Sequence, residues 1–136
     1  MINSQVLLDT DTVSLLLRNQ ANVSKQAREY RTSQGKLFIS IITRFEIVRG
    51  LKVKDGTAQL ARFERFCARN EVLPLTEAIV MRAADIYADL YRRGTLIGDA
   101  DILIAATALV HDLVIITNNE AHFRRITGLH VDNWLT

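Results

Sequence analysis

The feature that most constrains this fold is a set of short apolar runs that end abruptly at polar residues and alternate with longer amphipathic segments. The apolar runs lie at residues 6–8, 37–41, 72–73 and 114–117, with a short one around Val131. Runs of this length are typical of strands that are buried on both faces of a parallel sheet. The alternation predicts an α/β fold, with a central, mostly parallel β-sheet flanked by α-helices.

The segments between these runs carry apolar residues at helical spacing. We expect helices over residues 13–18, 22–34, 43–50, 57–69 and 76–93, and a further one from Asp99 or Asp101 to Leu109. Asp11 or Thr12 is expected to cap the first helix and Thr43 the third, because short polar side chains accept hydrogen bonds from free N–H groups. Residues 94–98 are expected to form a loop.

The size and composition of the chain fit one domain. The chain has 136 residues, of which 49% are hydrophobic and 24% charged, and no linker, repeat or low-complexity segment divides it. We therefore expect a single domain over residues 1–136.

Cys67 is the only cysteine, which excludes an intramolecular disulfide and suits a reducing cytoplasm. No apolar stretch approaches the length of a membrane-spanning helix, so no membrane association is expected.

The charge balance is nearly neutral, but the cations are mostly arginine. A net charge of +2, from 17 basic and 15 acidic residues, neither requires nor excludes a nucleic-acid partner. Thirteen of the basic residues are arginines, whose planar guanidinium pairs with phosphate in a bidentate manner. Arg62, Arg65 and Arg69 recur at helical spacing, which is typical of a solvated helix face; contact with RNA is the alternative interpretation.

Acidic residues follow the predicted strands where those strands end. Asp9 comes directly after the first strand, and Glu46 comes a few residues after the second. Asp99 and Asp101 begin a predicted helix, and Asn119 follows the fourth strand. Because the carboxyl ends of parallel strands share one edge of a sheet, where ligands bind, polar side chains from four segments are expected to converge there.

Carboxylates held close together repel one another, and they keep their charge only when a cation lies among them. An all-oxygen set suits Mg²⁺, with Mn²⁺ as a substitute, rather than zinc. A metal held in this way can activate water for attack on a phosphodiester. The acids therefore indicate metal-dependent hydrolysis of a phosphoester.

Each of these residues also has a purely structural interpretation. An aspartate that ends a strand, such as Asp9, is often a turn or cap residue, and Glu46 in a first helical turn is favoured by the helix dipole. The same holds for Asp99 and Asp101, so only the joint pattern supports a site.

The three histidines lack metal-ligand spacing and are expected in surface or packing roles. Several aromatic residues are expected in the core or in a dimer contact: Phe63, Phe66, Tyr87 and Tyr91.

Four blocks of sequence carry a family resemblance. They read VLLDTD at 6–11, SIITRFEIVRG at 40–50, IGDADILIAATA at 97–108, and ITNN at 116–119 with HF, GL and NW beyond it. In this order, and over the full length of the chain, they resemble the motifs of PIN-domain ribonucleases, especially VapC-type toxins of bacterial toxin–antitoxin pairs.

The resemblance assigns roles to individual positions. Asp9 matches the first metal-binding acid of the family, Glu46 the second and Asp101 the third. Asn119 falls where many members carry a fourth acid, and its amide adds no negative charge, which puts a full second metal site in question. Glu120 or Asp99 is expected to supply the missing charge, and Asp99 is the better candidate because it shares a helical turn with Asp101.

By this resemblance the protein is a Mg²⁺-dependent endoribonuclease that cuts RNA by attack of a water molecule. Asp9 and Asp101 would hold the metal, and Glu46 would ligate it or orient the water. Thr10 and Ser40 would hold the site through hydrogen bonds. The resemblance also implies a homodimer and a cognate antitoxin that blocks the groove of the active site.

Two other functions compete with this one. DTDTV at 9–13 fits the nucleophile motif of haloacid-dehalogenase-like phosphatases, although Leu103 stands where that class needs a further aspartate. Activity on a small phosphate ester, and none on RNA, would favour that class. The amide at Asn119 favours an inactive PIN-like binding module, which would show no binding of Mn²⁺ in a calorimetric titration.

Overall fold

The computed structural model describes residues 4–136, which form a parallel sheet between two layers of helices. The strands are β1 (Val6–Leu8), β2 (Phe38–Ser40), β3 (Glu71–Leu73), β4 (Val114–Ile116) and β5 (Val131–Asp132). The helices are α1 (Thr10–Leu17), α2 (Ala21–Gln34), α3 (Ile41–Val53), α4 (Thr57–Arg69), α5 (Glu77–Arg92), α6 (Asp99–Val110) and α7 (Glu120–Phe123). The predicted α/β fold is confirmed; residues 1–3 of the expected domain lie outside the described range.

The strand order places the end of β1 at the centre of the sheet. The order is β3-β2-β1-β4-β5, and each neighbouring pair is parallel. From β1 the chain first builds outward through β2 and β3, and then returns to add β4 and β5 on the other side. A reversal of this kind opens a crevice at the carboxyl ends of the two strands that flank it, here β1 and β4.

The core lies on both faces of this sheet because successive strand residues point to opposite sides. Leu7 and Ile115 pack with α5 and α6 on one face, whereas Leu8 and Ile116 pack with residues of α1 to α4 on the other. α6 is buried along most of its length, which fixes its first turn at the edge of the sheet. Within residues 4–136 no helix is both long and apolar enough to cross a bilayer.

Two helices begin earlier than predicted, because each starts directly at the end of a strand. The N-cap of α1 is Asp9, whose side chain accepts from the N–H of Thr10, so the prediction of Asp11 or Thr12 was wrong. The N-cap of α3 is Ser40 rather than Thr43, and the Ser40 hydroxyl accepts from the Thr43 N–H at 3.0 Å. With no linker present, the residue that ends the strand is the one available to cap the helix.

The aromatic side chains divide between core and surface. Phe63 and Phe66 are buried, with ring centroids 6.2 Å apart, whereas Tyr87 and Tyr91 are 43% and 65% exposed. Of the two roles expected for these aromatic residues, core packing is confirmed for the two phenylalanines. Trp134 is buried close to the ring of Tyr30 and anchors the end of the chain.

Candidate active site

Asp9 is a buried carboxylate at the centre of the carboxyl edge. It is only 4% exposed, and both of its oxygens are held by hydrogen bonds. Oδ1 accepts from the N–H of Thr10 at 2.7 Å, and Oδ2 accepts from the hydroxyl of Thr117 at 2.8 Å. The register pairs Leu8 with Ile116, so the next residues, Asp9 and Thr117, lie side by side. The crevice between β1 and β4 therefore contains a carboxylate of fixed orientation.

The surroundings of Asp9 disfavour its negative charge. Burial is the main cause, and the neighbouring Asp11 and the more weakly coupled Asp101 add to it. The hydrogen bonds from Thr117 and Thr10 act in the opposite direction, but the balance raises the pKa of Asp9 from 3.8 to about 7. A carboxyl group whose pKa lies near neutral pH is only partly ionised there. A cation bound beside it favours the fully ionised form.

Glu46 is held beside Asp9 through Thr10. The hydroxyl of Thr10 donates to Oε1 of Glu46 at 2.6 Å and lies 3.0 Å from the hydroxyl of Thr43. On the other side, a guanidinium nitrogen of Arg49 lies 3.7 Å from Oε2. The expectation that Thr10 holds the site by a hydrogen bond is confirmed, whereas Ser40 acts one step away by capping the helix that carries Thr43.

Asp101 lies in the first turn of α6, where the helix dipole favours a negative charge. Its Oδ2 is 3.3 Å from Nδ1 of His122, and the same ring nitrogen is 2.8 Å from Nδ2 of Asn119. Asp101, the third predicted acid, and Asn119, the amide at the fourth position, therefore both contact the imidazole of His122. His122, for which a surface or packing role was expected, thus contacts two of the predicted site residues.

Two further acids were predicted to supply charge to the site. Asp99 is the exposed first residue of α6, and residues two positions apart on a helix do not face each other. No hydrogen bond or ion pair among the described residues joins Asp99 to Asp101. Glu120 accepts from Arg124 at 2.7 Å and from Asn133 at 2.9 Å, so its charge is already balanced.

Sequence reasoning missed the roles of Thr117 and His122. Thr117 is the first polar residue after β4, and only the register with β1 reveals that it lies next to Asp9. His122 is three residues after Asn119, a spacing that brings side chains together on a helix. The helix that carries His122, α7, has four residues and gave no periodic signal.

The donor set fits a hard divalent cation. It is made of carboxylate oxygens, and its central member is buried without a cationic partner among residues 4–136. Across residues 4–136 no three Asp, Glu, His or Cys side chains are already close enough to enclose an ion. Mg²⁺ does not need such a cage, since it keeps several of its waters and binds through one or two carboxylates.

The fold and the edge site together define an α/β protein with acidic residues at the switch point of a parallel sheet. Comparison with known families agrees, because the PIN domain matches residues 6–129. The chain belongs to the PIN-domain family. The alternative of a haloacid-dehalogenase-like phosphatase is thereby set aside.

Within this family the relatives are VapC ribonucleases. The tRNA(fMet)-specific endonuclease VapC of Shigella flexneri is 33% identical over 94% of this chain and 96% of its own length. Ribonuclease VapC10 of Mycobacterium tuberculosis is 36% identical over 87% of this chain and 85% of its own. The DNA-bound VapBC structure from Salmonella typhimurium superimposes with a TM-score of 0.86, at 31% identity, over 96% of this chain and 98% of that one. The chain is thus a VapC-type endoribonuclease, the toxin of a toxin–antitoxin pair.

Proposed function

We propose that this chain hydrolyses phosphodiester bonds of RNA with the help of Mg²⁺, for which Mn²⁺ can substitute, at the site formed by Asp9, Glu46 and Asp101. The observation that supports this most strongly is the buried carboxylate of Asp9, which lies at the switch point of the sheet and forms no ion pair with a described cationic side chain. A divalent metal supplies that charge, lowers the pKa of water and neutralises the phosphate that is attacked.

Asp9 and Asp101 are the proposed metal-holding acids. Asp9 has little freedom to move, because Thr10 and Thr117 each hold one of its oxygens. A carboxylate fixed in this way loses little conformational entropy when it binds an ion. Asp101 approaches from α6 on the other side of the crevice, where its position is set by a helix that is buried in the core. Asp99 adds negative charge in the same turn without a contact of its own.

Glu46 is the proposed group that ligates the metal or orients the attacking water. Its Oε1 is occupied by Thr10, which leaves Oε2, near Arg49, to accept a hydrogen bond from water. Asn119 and His122 position Asp101 from the opposite side. In this proposal the chain contributes three carboxylates whose oxygens can ligate the metal, and hydrogen bonds hold each carboxylate in position.

The direct test is cleavage of RNA by the purified chain with Mg²⁺, with Mn²⁺ and with EDTA. We expect cleavage with either metal, none with EDTA, and loss of at least about a thousandfold in rate for Asp9→Asn or Asp101→Asn. Asp85→Asn is the matched control, since Asp85 is an exposed acid on α5, away from the crevice. If Asp101→Asn cut RNA as fast as Asp85→Asn, the proposed site would be wrong.

The relatives suggest where to look for the substrate and the partner. The Shigella relative is named as specific for tRNA(fMet), which makes that tRNA the first substrate to try. Mapping of RNA 5′ ends after induced expression, wild type against Asp101→Ala, would identify the sites that are cut. Since the structural relatives are complexes of VapC with VapB, we also propose a cognate antitoxin and action in the cytoplasm, where cellular RNA is translated.

A second copy of the chain is the proposed partner of α5. One stripe of this helix is buried in the core, at Ile79, Ala83, Ile86 and Leu90. The adjacent stripe is apolar but exposed, and it contains Val80, Tyr87 and Tyr91, of which the two tyrosine rings stack with centroids 6.2 Å apart. Three large apolar residues along one exposed helix face are typical of a surface that is covered in the assembled protein.

A further inference from the structure

A second feature of the surface is a cavity of about 240 Å³ between the end of α1, α2 and α4. Four arginines line it, and we call it the arginine cavity: Arg31, Arg62, Arg65 and Arg69. Leu16, Leu17 and Phe66 form its apolar part, and Asn19 adds an amide. No acidic side chain of the described residues is among its lining.

The positive charges of the arginine cavity are not balanced within the described part of the chain. None of its four guanidinium groups forms an ion pair with a described carboxylate, whereas Arg44, Arg93 and Arg124 elsewhere each do. Partial burial and the nearby charge of Arg69 lower the pKa of Arg31 below its ordinary value. Like charges held together in this way are stabilised when an anion binds between them.

The spacing along α4 sets the shape of this charge cluster. Arg62, Arg65 and Arg69 follow at intervals of three and four, so they share one face and span about 10 Å along the helix axis. Arg62 has a structural task as well, because its guanidinium donates to the carbonyl of Leu17 at the end of α1. Arg65 and Arg69 are exposed and have no described hydrogen-bond partner, so their guanidinium groups are available to a ligand.

The arginine cavity adjoins a groove that reaches residues of the active site. A groove of about 490 Å³ between α1, α3 and α4 shares Leu17 and Arg62 with it. At its other end the same groove reaches Thr10 and Glu46 of the catalytic crevice. Between these ends it is lined by further cations, including Arg18 and Lys54. Positively charged side chains therefore line both this groove and the adjoining arginine cavity.

We propose that the arginine cavity binds backbone phosphates of an RNA strand whose scissile bond lies at Asp9, Glu46 and Asp101. This inference rests on the proposed function for its substrate class. A polyanion that enters the crevice meets the cations of the adjoining groove, and the planar guanidinium groups of the arginine cavity pair with phosphate oxygens in a bidentate manner. The cavity acts as a distant subsite, which strengthens the binding of a long RNA and contributes nothing to a very short one.

The test compares Arg65→Gln/Arg69→Gln with a matched control that has the same loss of charge on α5, Arg82→Gln/Arg92→Gln. Binding of a labelled single-stranded RNA of about 12 nucleotides is measured by fluorescence anisotropy at several salt concentrations, with EDTA present. We expect the cavity variant to bind about tenfold more weakly at low salt. Its salt slope should fall by about 1.4, since each phosphate contact of a single strand contributes about 0.7. Cleavage of a dinucleotide with Mg²⁺ should be unchanged.

The outcomes separate the subsite from the proposed function. If the cavity variant and the control have the same salt slope while the wild type cuts RNA, the subsite is wrong and the nuclease stands. If the slope falls as expected but no RNA is cut, the subsite is upheld and the nuclease is wrong. If the variant loses affinity only for an acidic partner protein, the cavity is a protein contact and the proposal is overturned.

Discussion

The hydroxyl of Thr10 donates a 2.6 Å hydrogen bond to Oε1 of Glu46, and the backbone N–H of the same threonine donates to Asp9 at 2.7 Å. One residue at the start of α1 thus fixes two acids that are far apart in the sequence. The hydroxyl occupies one oxygen of Glu46, and the other oxygen lies 3.7 Å from the guanidinium of Arg49. Thr10 is therefore a positioning residue, which acts on the reaction through Glu46.

Replacing Thr10 with valine should slow RNA cleavage without preventing folding. The valine keeps the backbone N–H to Asp9 and the shape of the side chain, but it frees Glu46 to adopt other rotamers. We expect kcat to fall about tenfold, equivalent to about 1.4 kcal/mol in the barrier, with little change in KM. Single-turnover cleavage measures the chemical step. Thr10→Ser keeps the hydroxyl and should restore most of the rate; equal rates for Thr10→Val and wild type would contradict the role.

The raised pKa of Asp9 predicts how the metal-free protein responds to pH. Between the unfolded pKa of 3.8 and the folded pKa of about 7, the folded state binds one proton more than the unfolded state. The free energy of unfolding contributed by this group therefore decreases as pH rises through that window, by up to about 1.4 kcal/mol per pH unit, and levels off above it.

Urea unfolding with EDTA, at pH values inside and above this window, measures the effect as the difference between wild type and Asp9→Asn. Asparagine has no proton to lose, so the variant should gain stability relative to wild type as pH rises. Added Mg²⁺ should reverse the loss in wild type only. A pH-independent difference between the two proteins would show that Asp9 is already ionised without metal.

Calorimetric titration with Mn²⁺ tests whether the site binds metal or belongs to an inactive binding module. We expect wild type to bind, Asp9→Asn and Asp101→Asn to lose binding, and Asp99→Asn to bind only slightly more weakly. Absence of binding in the wild type would favour the inactive module.

Restoring an acid at the fourth position should strengthen metal binding. Asn119→Asp places a carboxylate next to His122 and Asp101, and the added negative charge should raise the affinity for Mn²⁺ about tenfold. Asn118→Asp adds the same charge at an exposed neighbouring position, and it is the control. Equal affinities for the two variants would place residue 119 outside the metal site.

The exposed stripe on α5 predicts the state of assembly. Tyr87→Glu with Tyr91→Glu should convert a dimer to a folded monomer, because it places two negative charges in each half of the proposed contact. Light scattering coupled to size exclusion gives the mass, and circular dichroism confirms folding. Val53→Glu with Val110→Glu alters exposed valines outside the stripe and should leave the dimer intact. A dimer that survives the tyrosine changes would exclude this face.

Much of the fold could be predicted because the signals are local. The five strands are short apolar runs, and α2, α4 and α5 begin and end within a residue or so of their predicted bounds. Such patterns depend on neighbours along the chain, which a sequence shows directly. The helix starts at Asp9 and Ser40 were misplaced, because a side chain that ends one element and caps the next belongs to neither periodic pattern.

Asp9, Glu46, Asp101 and Asn119 could be proposed as site residues from the sequence, since each follows a strand or opens a helix at a recognisable motif. Their arrangement was decided by tertiary structure. Only the parallel register of β1 and β4 places Thr117 against Asp9, and only the packing of α7 brings His122 between Asp101 and Asn119. The contact between Thr117 and Asp9 spans 108 positions and that between His122 and Asp101 spans 21, and such contacts depend on strand order and helix packing, which have no periodic trace along the chain. The sequence thus determines which chemical groups are present and on which elements, whereas the tertiary structure decides which of them touch.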